Sequence, residues 1–231
     1  MKGKIIVIEG LDGAGKSTQL ELLKKKFEDR GFEHKYIHFP MLNKGEYGTL
    51  IAEFLRGEYG SIEQVHPKLV ALLFANDRKE HIHQINEWVE KGYVVLADRY
   101  VNSNIAFQCA KLENEDEKTA LRKWILRFEF EYNQLPLPDK TFFLDVPFSA
   151  VINSLSKERT GEDRNYLKGK KDIHEASISF QEKVYKEYKL MVKEQENFTG
   201  INCSDKYGNF LPPEEINQMI MKIIDNGKLT I

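Results

Sequence analysis

The sequence has few cysteines, no long apolar run and no excess of charge of one sign. Cys109 and Cys203 are too few for a disulfide framework and match no metal-binding spacing, so we expect two small buried residues. No apolar run approaches the roughly 18 residues of a membrane span. The formal net charge is -2 over 231 residues, which gives no overall attraction to nucleic acid or to a membrane. These features argue against a disulfide-rich mini-protein, a membrane-spanning protein and a nucleic-acid-binding protein.

The remaining composition is that of a globular protein, with 41% hydrophobic and 30% charged residues. An apolar strand pattern begins at Lys4, which leaves no room for a signal peptide, so we expect a cytoplasmic protein. No linker, internal repeat or low-complexity segment divides the chain. We therefore expect one domain over residues 1–231.

Short apolar runs alternate with longer segments of helical spacing. The runs are nearly continuous, as in parallel strands that are covered on both faces. They lie at Ile5–Ile8, Tyr36–Phe39, Tyr93–Ala97, Phe142–Val146 and Gly200–Cys203. Helices are predicted at about 16–30, 47–56, 62–91, 115–133, 147–158, 173–197 and 214–226. Repeated β-α-β units of this kind predict a three-layer α/β fold, a five-stranded parallel sheet with helices on both faces.

A glycine-rich segment directly follows the first predicted strand and opens the first predicted helix. Residues 10–17 match the P-loop pattern G-x-x-x-x-G-K-[ST], whose backbone N–H groups point at an anion. Lys16 adds a positive charge for the outer phosphates of ATP, and the Ser17 hydroxyl can bind Mg²⁺. The predicted ATP-binding residues are Gly10, Asp12, Gly13, Ala14, Gly15, Lys16, Ser17 and Thr18. The pattern thus predicts a P-loop NTPase fold.

An acid and an arginine follow the third predicted strand. Asp98 lies at the carboxyl end of that strand, beside the phosphate loop, where it can hold Mg²⁺ or its bound water. Arg99 can bind a phosphate group through two N–H donors. A GTPase would carry N-K-x-D, which is absent, and adenylate-type kinases carry proline where this chain has Asp12.

Several short motifs occur in a specific order and together resemble the thymidylate kinase family over nearly the whole chain. They are Gly10 to Thr18, Phe39-Pro40, Leu72-Leu73-Phe74 through Arg78, Asp98-Arg99-Tyr100 and Ser103 to Gln108, followed by a basic segment at 157–171. The resemblance implies transfer of the ATP γ-phosphate to dTMP, with Mg²⁺ as cofactor, in a homodimer. It also implies no nucleic-acid or membrane partner.

The resemblance assigns roles on the acceptor side of the site. Phe74 matches the aromatic residue that stacks on thymine, and Arg78, one helical turn later, matches the arginine that contacts the base. Asn104 matches a residue at the Watson–Crick edge, with Gln108 a second candidate. The other implied contacts are Phe39 and Pro40 beside the substrate, Asp12 at the 3′-hydroxyl, Arg99 at the acceptor phosphate and Phe107 under the deoxyribose.

Two positions depart from the family pattern. His38 replaces an arginine found in many members, so acceptor-phosphate binding is expected to depend more on Arg99. Gly13 occupies the place where some members carry a catalytic arginine. We expect a short lid at about 157–171 to supply that charge instead, with Arg159 as the catalytic arginine and Arg164 in support.

Two alternatives stay open at this level. A deoxynucleoside kinase has a similar fold but resembles E-R-S after the third strand, where this chain has Asp98-Arg99-Tyr100. A non-catalytic nucleotide-binding protein would be favoured by the loss of Lys16, Asp98 or Arg99, and all of them are present. Residues 205–213 resemble an insertion near the adenine, with no assigned role.

Overall fold

The computed structural model describes residues 2–42, 44–155, 162–170, 172–175 and 177–226, with only the backbone at 155 and 162–164. Its centre is a five-stranded sheet in the order β2-β3-β1-β4-β5. The strands are β1 (Lys4–Glu9), β2 (His34–His38), β3 (Val94–Asp98), β4 (Lys140–Asp145) and β5 (Phe198–Asn202). All neighbouring pairs are parallel. The sheet prediction is confirmed, with strand ends shifted by one or two residues.

The sheet register brings polar strand ends together at one edge. Asp98 lies opposite Ile8 of β1 and opposite His38 of β2. Because the carboxyl ends of parallel strands share an edge, the phosphate loop after β1 lies beside Asp98. This position is where open α/β sheets bind their ligands.

Helices cover the sheet. They are α1 (Lys16–Asp29), α2 (Gly45–Leu55), α3 (Pro67–Glu80), α4 (Ile82–Glu90), α5 (Val101–Cys109), α6 (Glu115–Leu126), α7 (Phe148–Leu155), α8 (Ile178–Glu194) and α9 (Pro213–Asn226). α1 packs on β1–β3 and on α9, while α5 packs against α3, α6 and α8. The predicted three-layer α/β fold is confirmed. None of the helices in the described part of the chain is long and apolar enough to cross a membrane.

Two helix predictions need correction of their bounds. The predicted helix 62–91 is two helices, α3 and α4, which meet at His81, and it begins only at Pro67. Proline fits the first turn of a helix, where its missing N–H costs nothing. The predicted helix 173–197 begins later, at Ile178, after a Ser177 N-cap whose side chain accepts from the Phe180 N–H.

Helix α5 was absent from the sequence prediction. All nine of its residues are buried, so it has no polar face and no apolar stripe for periodicity to detect. The predicted helix 115–133 is helical almost to its end, but α6 ends at Leu126 and the chain continues as a π-helix over Arg127–Tyr132. Of these helices, α5 lines the cavity described below.

Candidate active site

A cavity of about 1030 Å³ opens at the carboxyl edge of the sheet. The phosphate loop and the end of β3 form one part of it, which we call the phosphate end. Helices α3 and α5 form the other part, the base end. The predicted site residues that line the cavity are Asp12, Gly13, Gly15, Lys16, Ser17, Thr18, Phe39, Pro40, Phe74, Arg78, Asp98, Arg99, Asn104, Phe107 and Gln108. One cavity thus gathers residues that span almost a hundred positions of the sequence.

The phosphate loop has the backbone that its glycines predict. Gly13 and Gly15 have φ of 80° and 85°, a region that favours glycine, and Gly15 precedes the first turn of α1. The Lys16 ammonium group donates to the carbonyl oxygens of Gly10 and Leu11, at 3.3 and 3.0 Å. Burial, with the positive charge of Arg99, lowers the Lys16 pKa to about 8. The Lys16 ammonium group therefore donates to neutral carbonyl oxygens, which a phosphate group can replace as acceptors.

Asp98 is the buried carboxylate of the phosphate end. Its Oδ2 lies 3.3 Å from His38 Nδ1, while its buried Oδ1 has no hydrogen-bond partner among the described residues. Burial acts to raise the Asp98 pKa, but the hydrogen bond with His38 and the charge of Lys16 bring it below the ordinary value. An ionised carboxylate with an unpartnered oxygen, in the same cavity as Ser17, fits the oxygen ligands that Mg²⁺ prefers.

Arg99 is buried and held by two residues. Its Nη2 donates to Asp12 Oδ1 at 2.6 Å, and its Nη1 donates to Ser103 Oγ at 3.1 Å. The backbone φ of 64° is unusual for a residue other than glycine and directs the chain sharply from β3 into α5. Asp12 counteracts the effect of burial and keeps the Arg99 pKa above its ordinary value. A permanent positive charge thus faces the cavity next to Lys16.

The base end is formed by two helices with residues four positions apart. Phe74 and Arg78 lie on α3, and Asn104 and Gln108 lie on α5. The buried Gln108 amide has no hydrogen-bond partner among the described residues. Phe107 lies between the two ends, with its ring centroid 5.3 Å from the Arg99 guanidinium carbon. The predicted helical spacing of Phe74 and Arg78 is confirmed by α3, while the predicted substrate contacts stay predictions.

Some predicted site residues do not line the cavity. Gly10 and Ala14 belong to the loop, but Ala14 is buried beneath it and neither residue lines the cavity. Arg159 lies outside the described residues, and so does the Arg164 side chain. The predicted lid at 157–171 is therefore described only in part, with a 3₁₀ helix over Glu162–Leu167.

Sequence reasoning missed three groups around the cavity. Glu9 is fully buried and accepts from the Tyr100 and Ser103 backbone N–H groups at 2.8 and 3.1 Å, which fixes the turn that carries Arg99. An acid at the end of an apolar strand was a usable signal. Asp172 and His174 line the cavity, and burial raises the Asp172 pKa to about 7. They lie around the start of the predicted helix 173–197, which in the structure begins only at Ile178.

Comparison with known proteins agrees with this geometry. A family model described as thymidylate kinase matches residues 8–211. The chain belongs to the thymidylate kinase family. The curated thymidylate kinase of Plasmodium falciparum is 32% identical over 232 residues, covering 99% of this chain and 92% of the relative. The thymidylate kinase of Mycobacterium tuberculosis is 39% identical over 158 residues, covering 68% of this chain and 70% of the relative.

A solved structure shares the fold. The thymidylate kinase structure from Candida albicans superposes with a TM-score of 0.74 at 26% identity. The alignment covers 98% of this chain and 93% of that one. The five-stranded parallel sheet with its P-loop is therefore the thymidylate kinase fold.

Proposed function

We propose that this protein is a thymidylate kinase, a nucleoside monophosphate kinase that phosphorylates dTMP with ATP to give dTDP and ADP. One observation carries the proposal within the family: Arg99, Asp98 and Lys16 line the same cavity as Phe74, Arg78 and Asn104. Lys16 and Arg99 suit phosphate groups, Asp98 suits the Mg²⁺ that accompanies them, and the second three suit a pyrimidine. A cavity with both sets can hold two phosphorylated nucleotides end to end.

The reaction is an in-line displacement at the ATP γ-phosphorus. A phosphate oxygen of dTMP forms the new P–O bond, the bond to the β,γ-bridging oxygen breaks, and ADP leaves. Lys16 moves from the Gly10 and Leu11 carbonyls to the transferred phosphate group. Arg99 holds the acceptor phosphate, which needs no general base because a phosphate monoester is already ionised.

Ser17 and Asp98 are the residues that would hold Mg²⁺. The unpartnered Oδ1 of Asp98 supports this assignment. When bound, the ion supplies positive charge to the phosphate oxygens. Arg159 of the lid segment, with Arg164, is proposed to complete the positive charge around the γ-phosphate.

A homodimer is part of the proposal. Trp124, Phe128 and Tyr132 stack in a row along α6 and the π-helix, with centroids 5.0 and 5.2 Å apart. Tyr132 is 71% exposed, and Leu69 of α3 is 61% exposed. A second copy could cover this aromatic row.

The dimer is tested by light scattering after size exclusion. The native chain should give a dimer and Tyr132→Glu a monomer; a monomeric native chain would refute the assignment. A cytoplasmic location stays a prediction.

The reaction is tested by ADP release with ATP, Mg²⁺ and either dTMP or thymidine. Turnover with dTMP and none with thymidine is expected, because Arg99 needs an acceptor phosphate. The converse result would identify a deoxynucleoside kinase. Binding of both nucleotides without turnover would identify a non-catalytic nucleotide-binding protein.

A further inference from the structure

One buried carboxylate contacts two residues of the base end and belongs to neither helix that forms it. Glu129 is fully buried and lies on the π-helix after α6. Its Oε2 accepts from Arg78 Nε at 2.5 Å, and its Oε1 accepts from Arg78 Nη2 at 2.6 Å. The same Oε1 accepts from Asn104 Nδ2 at 2.8 Å. Glu129 therefore joins Arg78 of α3 to Asn104 of α5.

These contacts fix which atom of the Asn104 amide is the donor. Besides Glu129, Asn104 Nδ2 donates to the carbonyl oxygen of Ala71 at 3.0 Å. Both partners are acceptors, so a flipped amide would place its oxygen against two other oxygens. The buried Oδ1 has no hydrogen-bond partner among the described residues. Asn104, which lines the cavity, thus offers an acceptor.

The same carboxylate fixes Arg78 as a donor. Glu129 uses Nε and Nη2, which leaves the two N–H groups of Nη1 outside this ion pair. Arg78 also lines the cavity, with its guanidinium carbon 5.9 Å from the Phe39 ring centroid. The base end consequently offers one donor group and one acceptor from two adjacent side chains.

The π-helix places Glu129 toward the cavity helices. Leu121, Ile125, Glu129 and Asn133 are buried at intervals of four residues. An α-helix has 3.6 residues per turn, so a four-residue spacing drifts away from a single face. The wider π turn over Arg127–Tyr132 reduces this drift and keeps Glu129 in line with the buried residues of α6.

We propose that Glu129 is a positioning residue that sets the polarity of base recognition, an inference that rests on the proposed function. Arg78 then donates to the acceptor at C4 of the pyrimidine, and Asn104 Oδ1 accepts from the N3–H. Thymine and uracil have this pattern. Cytosine has an amino donor at C4 and an acceptor at N3, so both contacts would be mismatched. Glu129 thus determines which base binds through Arg78 and Asn104, without contacting the base itself.

A buried ion pair can also serve stability alone, so the test needs a matched control. Glu187 is 4% exposed and pairs with Arg122 and Lys118, at 3.2 and 3.1 Å, outside the cavity lining. Breaking either pair leaves a buried charge uncompensated and destabilises the fold. Glu129→Gln and Glu187→Gln therefore share the structural cost, and only the first replaces one of the two acceptor oxygens that orient Arg78 and Asn104 with an amide donor.

The experiment measures kcat/KM for dTMP and for dCMP at saturating ATP, with melting temperature in parallel. Glu129→Gln is expected to lower the dTMP-to-dCMP ratio by at least about tenfold, mainly through the KM for dTMP, without changing the KM for ATP. Glu187→Gln is expected to melt earlier with an unchanged ratio. A Glu129→Gln ratio within about threefold of the native ratio would overturn the proposal.

A second measurement uses the native chain, in case Glu129→Gln does not fold. Competition binding against dTMP is measured with N3-methyl-dTMP, which lacks the N3–H. Weakening by at least about a hundredfold is expected, and equal affinity would overturn the assigned acceptor at Asn104. Failure of the proposed function looks different, because the native chain itself would then not turn over dTMP.

Discussion

The phosphate end and the base end of the cavity differ in how their polar groups are paired before a ligand binds. At the phosphate end, Lys16 donates only to loop carbonyls and Asp98 keeps one oxygen unpartnered among the described residues. At the base end, Glu129 already accepts from Arg78 and Asn104. The first region is arranged to exchange its contacts for those of a ligand. The second is arranged to keep its contacts when a ligand binds.

The difference follows from what each region must recognise. A phosphate group is charged and nearly symmetric, so backbone N–H groups and mobile cations suffice. Thymine differs from cytosine in which of the C4 and N3 positions carries a hydrogen-bond donor and which carries an acceptor. The protein must therefore fix its own donors and acceptors before the base binds. The phosphate end therefore has a cation, Lys16, that can change partners, and the base end has hydrogen-bond donors and acceptors that are fixed before the ligand binds.

The largest expected effect concerns Arg159, the arginine proposed to act on the transferred phosphate group. Arg159→Ala should lower kcat by about 10³-fold or more, because an arginine at the transferred phosphate stabilises charge that develops only in the transition state. The KM for dTMP should change little. Steady-state kinetics would test this, with Lys157→Ala as the control from the same segment. A kcat within about threefold of the native value would remove Arg159 from the catalytic group.

The next effect is expected at the base end, where a contact should change binding and leave the chemistry alone. Phe74→Ala should raise the KM for dTMP by about 10- to 100-fold, because base–aromatic stacking contributes roughly 1–3 kcal/mol. The KM for ATP should stay constant. Leu73→Ala is the matched truncation, since Leu73 packs into a neighbouring apolar cluster and does not line the cavity. An equal rise in KM for both variants would contradict the stacking role.

A smaller effect is expected from pH at the phosphate end. The Lys16 pKa is about 8, so the amine loses its positive charge above that pH. The ATP phosphates then lose the electrostatic attraction of Lys16. The value of kcat/KM for ATP should fall by about tenfold per pH unit above pH 8. Profiles between pH 6 and 10 would show it, with circular dichroism verifying that the fold persists. A flat profile to pH 9.5 would contradict the assigned charge on Lys16.

The smallest effect on activity is expected at Asp77, beside Arg78. Burial raises the Asp77 pKa from 3.8 to about 6, so the folded state favours the protonated acid. Stability is therefore full below pH 4 and decreases as the pH rises through 6. Asp77→Asn should be more stable than the native chain by about 1–3 kcal/mol at pH 7.5 and nearly equal at pH 4.

Urea unfolding at both pH values measures the Asp77 effect, while dTMP turnover serves as the control for the site. Asparagine keeps an oxygen for the Met41 N–H, which Asp77 accepts at 3.1 Å. The same stability difference at both pH values would show that the carboxyl charge is not its cause.

The sheet strands and the phosphate loop could be predicted from the sequence alone. Each strand was predicted from a nearly continuous apolar run, and the P-loop pattern at 10–17 is local because such a loop is built from consecutive residues whose backbone N–H groups point at an anion. The sequence did not suffice for α5, since a helix buried on all sides has no stripe. Nor did it predict the change from α6 to a π-helix, which depends on packing against the rest of the fold.

The base end could be predicted only in part. Phe74 and Arg78 are one turn apart on a predicted helix, so local spacing paired them, whereas Asn104 and Gln108 were named only from the family resemblance. Glu129 is 51 residues from Arg78 and 25 from Asn104, and no local pattern connects it to either residue. Groups that meet only through tertiary packing are outside the reach of periodicity.

The most direct test of the contrast is a crystal structure with dTMP and a non-hydrolysable ATP analogue bound. We expect Lys16 to leave the Gly10 and Leu11 carbonyls for phosphate oxygens. We also expect Arg78 and Asn104 to keep their bonds to Glu129 while they contact the base. A complex in which Arg78 or Asn104 abandons Glu129 for the base would contradict a base end whose polarity is set in advance.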